Sequence, residues 1–112
     1  MNKIEITDEQ IRLAKISKAI SHPTRVAIMY FLAHVQECYF GDIHEVLNIS
    51  KPTVSQHLKE LKEAGLIIGE IEAPKVRYCI NAKQWEEARN LFAKFFDLCQ
   101  CKCGDNCECH NK

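Results

Sequence analysis

Between Gly41 and Gly65 the chain leaves room for two helices and one tight turn, and for little else. Ile43, Val46 and Leu47 mark a short helix over about 42–48. Asn48-Ile49-Ser50 is a turn, with Ser50 placed to cap the second helix and Pro52 in its first turn, where the missing N–H costs nothing. Val54, Leu58 and Leu61 then recur at i, i+4 and i+7, an apolar stripe on a helix running from 51 to about 64. Gly65 falls where a left-handed residue is wanted after a helix. Two helices joined by so short a turn form a helix-turn-helix candidate, and the rest of the chain must cover the stripe.

The flanking segments supply that cover. Thr7 is a good N-cap, with Asp8 and Glu9 in the first turn of a helix expected over 8–20. Pro23 restarts the chain, and Val26, Ala27, Met29, Tyr30, Phe31 and Leu32 predict a strongly apolar, buried helix to about 34. Beyond Leu66, two extended segments flank Ala73-Pro74. In the second, Val76, Tyr78 and Ile80 alternate with Arg77 and Cys79, a strand pattern, so the pair reads as a β-hairpin or wing. Asn81 caps a last helix over 82–98, whose Trp85, Leu91, Phe92, Phe95, Phe96 and Leu98 exceed what a small core needs. Part of that face is therefore assigned to a dimer interface. The expected fold class is mainly α with a β-hairpin wing, a winged helix-turn-helix domain over 1–98 with a cysteine-rich tail over 99–112.

At 112 residues and zero net charge, the chain is one domain plus a tail and no broadly basic nucleic-acid coat. It has no run of eighteen apolar residues and no apolar leader after Met1, so a cytoplasmic protein without membrane contact is expected. No acid/base pair or nucleophile–base set is visible, and His22, His34, His44 and His57 all have ordinary structural readings, so an enzyme is not expected.

A local cationic face is present even so. On the 51–64 helix, Thr53, Ser55 and Gln56 lie near the N-terminal end and away from the stripe, where a recognition helix meets base edges. Glutamine pairs with adenine through both amide groups, and Ser or Thr serves several bases. Lys51, Lys59 and Lys62 suit phosphates, as do Lys75 and Arg77 on the wing. Ser50 begins this set, and His57, at the stripe's edge, reads equally as a half-buried packing residue or a phosphate contact. The expected partner is double-stranded operator DNA.

Three stretches of this surface and its supports, Ser21-His22-Pro23-Thr24-Arg25, the run from Ser50 to Leu66, and Val76-Arg77-Tyr78, resemble the ArsR/SmtB family of winged-helix, metal-responsive repressors. The likeness spans residues 8 to about 98. It implies a homodimer docked through the first and last helices, DNA contacts on the 51–62 helix and at Lys75 and Arg77, and a resistance operon released when an ion binds. Arsenic and cadmium/lead sensors of the family carry a close cysteine set before the recognition helix, whereas Glu37-Cys38-Tyr39-Phe40-Gly41-Asp42 offers one thiol. Zinc sensors use Asp and His on the last helix, and 82–98 has no histidine.

The tail then becomes the expected ligand source. Five of the seven cysteines, Cys99, Cys101, Cys103, Cys107 and Cys109, fall within the last fourteen residues. In a reducing cytosol such crowding favours soft-ion binding over structural disulfides. Three thiolates match trivalent arsenic or antimony, the expected inducers, and four would suit zinc or cadmium. Lead and copper belong to the same thiophilic class. No cofactor is expected for DNA binding itself. Cys38 reads equally as a small packing residue or as a thiolate joining the tail of the same or the partner subunit. Cys79 reads as a packing residue, and His110 as incidental. Two further readings stay open: a thiol redox-sensing repressor, and a metal-storage dimer whose DNA binding ignores the ion.

Overall fold

The computed structural model describes residues 3–35, 38–39, 41–72 and 75–99. Among these residues, five helices and one hairpin occur in the order α1 (Asp8–Ala19), α2 (Pro23–Val35), α3 (Ile43–Leu47), α4 (Lys51–Glu63), β1 (Ile67–Glu72), β2 (Lys75–Ile80) and α5 (Ala82–Phe96). This is the expected mainly helical, winged helix-turn-helix architecture.

The helix starts are chemically explicit. Thr7 caps α1 by accepting the Gln10 amide N–H, while the Gln10 side chain accepts the Thr7 N–H, a reciprocal capping box. Asn81 accepts the Gln84 N–H at the start of α5. Ser50 departs from expectation: its hydroxyl makes no capping bond to the backbone and instead donates to the Thr53 hydroxyl at 2.8 Å. α5 also stops two residues early, with Asp97 as its C-cap and Leu98 beyond it.

The core is shared by every helix. Ile16 and Ala19 of α1, Ile28, Met29 and Leu32 of α2, Ile43 of α3, and Val54, Leu58 and Leu61 of α4 are buried with Leu66, Ile67 and Ala88. Burial of a Val or Leu side chain stabilises by roughly 1.5–3 kcal/mol, so the α4 stripe alone fixes which side of that helix faces outward. Of the apolar α2 expected to be buried, Ile28, Met29 and Leu32 lie in the core, and Tyr30 is 75% exposed in the single chain. Tyr30 and Val26 instead border an open apolar cleft with Ile20, Trp85 and Phe92, about 410 Å³ in volume.

Two arginines tie the helices at their ends. Arg12 donates to Glu87 and Gln84 of α5 and to the Ala64 carbonyl after α4. Arg25 donates to the Lys18 and Ala19 carbonyls at the end of α1 and to His57 on α4. The hairpin is antiparallel, with Ile67 opposite Ile80 at its base and Glu72 opposite Lys75 at its tip. Tyr39 extends it by one residue, exchanging two backbone hydrogen bonds with Tyr78 at 2.7 and 3.0 Å.

Candidate nucleic-acid interface and thiol sites

The α4 stripe turns Lys51, Thr53, Ser55, Gln56, Lys59 and Lys62 outward, and all six side chains are exposed, as is Ser50 in the turn before them. Their common face results from the inward placement of Val54, Leu58 and Leu61. The Gln56 amide donates to the Glu60 carboxylate at 3.3 Å, a one-turn pair that spacing alone does not reveal. On the wing, Lys75 opens β2, and Arg77 is half-buried on the same strand.

His57 resolves to one of its two readings. It is only 9% exposed, its Nδ1 accepts from Arg25 Nε at 3.1 Å, and its ring lies 4.4 Å from that of His22. The inward turn makes it a packing residue that anchors α4 to α2, which corrects its inclusion among the DNA contacts. Burial lowers its pKa from the ordinary 6.5, helped by the nearby His22 and Arg25 and opposed by Glu60. His22 in turn accepts the Thr24 N–H at 3.0 Å, satisfying a donor of the first turn of α2.

The cysteines divide into two groups. Cys38 and Cys79 are joined as a disulfide, with their Cα atoms 4.2 Å apart. The bridge is a product of the strand pairing. Tyr39 and Tyr78 form the hydrogen-bonded pair, so Cys38 and Cys79 are the adjacent non-hydrogen-bonded pair, where Cα atoms approach most closely. A joined Cys38 offers no thiolate, which corrects its role as a tail partner in this oxidised state, and Cys79 is not the simple packing residue expected. The signal for the pair lies in a non-local bridge that no periodicity reveals. Cys99 is free and exposed beyond the end of α5. Cys101, Cys103, Cys107 and Cys109 lie outside the described residues. Among the described residues, Asp42, His44 and Glu45 also bring possible ligand atoms within 4.8 Å of one another, a surface arrangement common without an ion.

The sequence profile of the bacterial regulatory proteins of the arsR family matches residues 22–68, from the start of α2 into β1. The chain is also 35% identical over 91 residues to the transcriptional repressor SdpR of Bacillus subtilis, covering 81% of this chain and 94% of that protein. This chain belongs to the ArsR family. It is 38% identical over 64 residues to the repressor SmtB of Mycobacterium tuberculosis, covering 57% of this chain and 47% of that protein. The regulator CmtR of Mycobacterium bovis is 34% identical over 68 residues, 61% of this chain and 57% of that protein. The chain thus spans about half the length of these two relatives. Among solved structures, HlyU from Vibrio cholerae superposes with a TM-score of 0.63 at 23% identity, covering 83% of this chain and 98% of that one. An ArsR-like regulator from Rhodococcus gives 0.64 at 17% identity over 81% of this chain and 85% of that one, and both likenesses concern the fold alone. As an ArsR-family member, the chain is a helix-turn-helix regulator with DNA as its partner. These relatives are regulators of transcription rather than enzymes, in line with the expectation from its residues. Among the described residues no helix is long and apolar enough to cross a membrane.

Proposed function

We propose that the protein is a cytoplasmic, homodimeric transcriptional repressor that grips operator DNA through α4 and the wing. On this reading it lets go when a soft ion, trivalent arsenic or antimony foremost, binds cysteine thiolates of the tail. The observation that carries the DNA half is the exposed row Lys51, Thr53, Ser55, Gln56, Lys59 and Lys62 on a helix whose opposite side is locked in the core. Repressor names among the relatives support the direction of control. Ile4, Ile6 and Ile11 near α1, with Phe95, Phe96 and Leu98 at the end of α5, are exposed apolar groups that a second copy would cover. The ion half rests on the thiols: Cys99 is exposed where α5 ends, and Cys101, Cys103, Cys107 and Cys109 come after it in the sequence. Their position after the dimerising helix lets ion binding alter the spacing of the two recognition helices, which must match the DNA repeat.

The Cys38–Cys79 disulfide favours a second reading, in which oxidation rather than an ion controls the grip. One experiment separates the two. Arsenite is titrated into the reduced protein on its promoter fragment, monitored by fluorescence anisotropy, with cadmium, zinc and peroxide in parallel. DNA release by arsenite that vanishes when the five tail cysteines are serine supports the ion-sensing reading. Release by peroxide alone supports the redox reading. DNA binding indifferent to all four rejects both.

A further inference from the structure

We propose that Cys38 and Cys79, once reduced, form a dithiol site for a trivalent arsenical, separate from the tail. The inference rests on the soft-ion reading above and adds a residue, Cys79, to which that reading gives no role. Three observations carry it.

The first is preorganisation. The two sulfurs are within bonding distance because the Tyr39–Tyr78 backbone pair sets their Cα atoms 4.2 Å apart on one face of the ladder. That backbone pairing does not depend on the S–S bond, so reduction leaves two thiols side by side. A bidentate site loses little entropy on binding when its ligands are already neighbours.

The second is access. Both cysteines are half-buried, and they line an open cleft between α2, β2 and α5 with Leu32, Ala33, Trp85 and Arg89. The cleft measures about 480 Å³, ample for an arsenic atom with a small organic substituent. Leu32, Ala33, Ile80 and Trp85 offer an apolar wall for such a substituent, beside the charged Glu86 and Arg89.

The third is position. Cys38 lies in the connection between α2 and α3, and Cys79 lies on the wing strand that carries Lys75 and Arg77. An ion bridging two thiolates at about 2.3 Å each, as in zinc–thiolate sites, holds the sulfurs farther apart than the ~2.0 Å of a disulfide. In the reduced protein, where no S–S bond remains, binding therefore ties the wing strand covalently to the segment before α3.

The chemistry balances. A dithiol reductant gives two electrons and two protons to the Cys38–Cys79 bond and is itself oxidised to a disulfide. As(OH)3 then condenses with the two thiols, forming two As–S bonds and releasing two waters, with one hydroxyl left on arsenic. Phenylarsine oxide reacts likewise, forming two As–S bonds, keeping its phenyl group and releasing one water.

The test uses the full chain with Cys99, Cys101, Cys103, Cys107 and Cys109 changed to serine, so that Cys38 and Cys79 alone remain. After reduction and removal of the reductant, phenylarsine oxide is added and uptake is read by intact mass. The expected result is one phenylarsine per chain, retained against excess monothiol and removed by a dithiol. It is lost in the further variant Cys79→Ser and in the oxidised protein. Circular dichroism of each variant verifies that it is folded. A folded, reduced serine-tail protein that takes up no phenylarsine, or that loses it to monothiol, overturns the proposal. That outcome is distinct from failure of the repressor reading, which would appear as ion-indifferent DNA binding by the unmodified chain.

Discussion

Arg25, on α2, reaches two other helices at once: the carbonyl end of α1 and His57 on α4. That last contact needs the lone pair of His57 Nδ1, so it needs a neutral ring. Folding lowers the His57 pKa, chiefly through burial, so the unfolded chain takes up the proton first. Stability is therefore full above the unfolded value of about 6.5 and is lost as pH falls from there through the lower folded value. The denaturation midpoint is expected to drop between pH 7.5 and 5.5, by less in His57→Gln, and an unchanged slope in that variant would rule His57 out as the cause. On the outward side of the same helix, the proposed DNA grip gives Gln56 and Lys59 separable roles. Gln56→Ala is expected to weaken binding to the cognate site by ~1–3 kcal/mol and to relax preference at one base pair. Lys59→Ala is expected to weaken all sequences alike and to reduce the slope of affinity against salt by about one. Binding isotherms on cognate and scrambled duplexes at several salt concentrations distinguish these patterns.

At the scale of elements, α4 ends because Gly65 adopts φ +82. The atoms nearest to a Cβ there are Arg12 and Gln84 side-chain atoms, the first at 3.7 Å, ordinary contact, so the cost of Gly65→Ala is conformational rather than steric. A loss of about 1–2 kcal/mol in chemical denaturation is expected, and no loss would mean that the turn relaxes. The α4 stripe, the hairpin and the caps at Thr7 and Asn81 are legible in the sequence because each depends on local spacing. The reciprocal partner Gln10, the hydroxyl pair of Ser50 and Thr53, and the end of α5 at Phe96 are not, since they depend on side-chain geometry rather than period. Two features of the site are out of reach of any local pattern. Arg25 meets His57 across 32 residues, and Cys38 meets Cys79 across 41. An alternating strand shows that Cys79 shares a face with Arg77, but not which distant residue pairs beside it. The thiols of the tail are legible as chemistry only.

For the molecule as a whole, the exposed apolar groups of α1 and α5 are the ground for the proposed dimer. Phe96 is 70% exposed and, among the described residues, its ring contacts are with Phe92 and Phe95 of its own helix, so Phe96→Glu leaves the monomer core intact. Sedimentation is expected to show a dimer for the unmodified chain and a monomer for Phe96→Glu, with DNA affinity falling because a single half-site grip remains. A monomeric unmodified chain at micromolar concentration would remove the dimer from the reading.

The Cys38–Cys79 bond has a topological consequence. It closes α3, α4, β1 and most of β2 into a covalent ring, and every residue assigned to DNA, from Ser50 to Arg77, lies inside it. For a loop of this size the restriction on the unfolded chain is worth roughly 4 kcal/mol in the chain-entropy account. The DNA reader of the oxidised protein is thus a cyclic module with two linear arms, the N-terminal helices and the α5-tail segment. A single protease cut anywhere in the ring leaves one molecule of unchanged mass apart from an added water, and only a reductant releases two fragments.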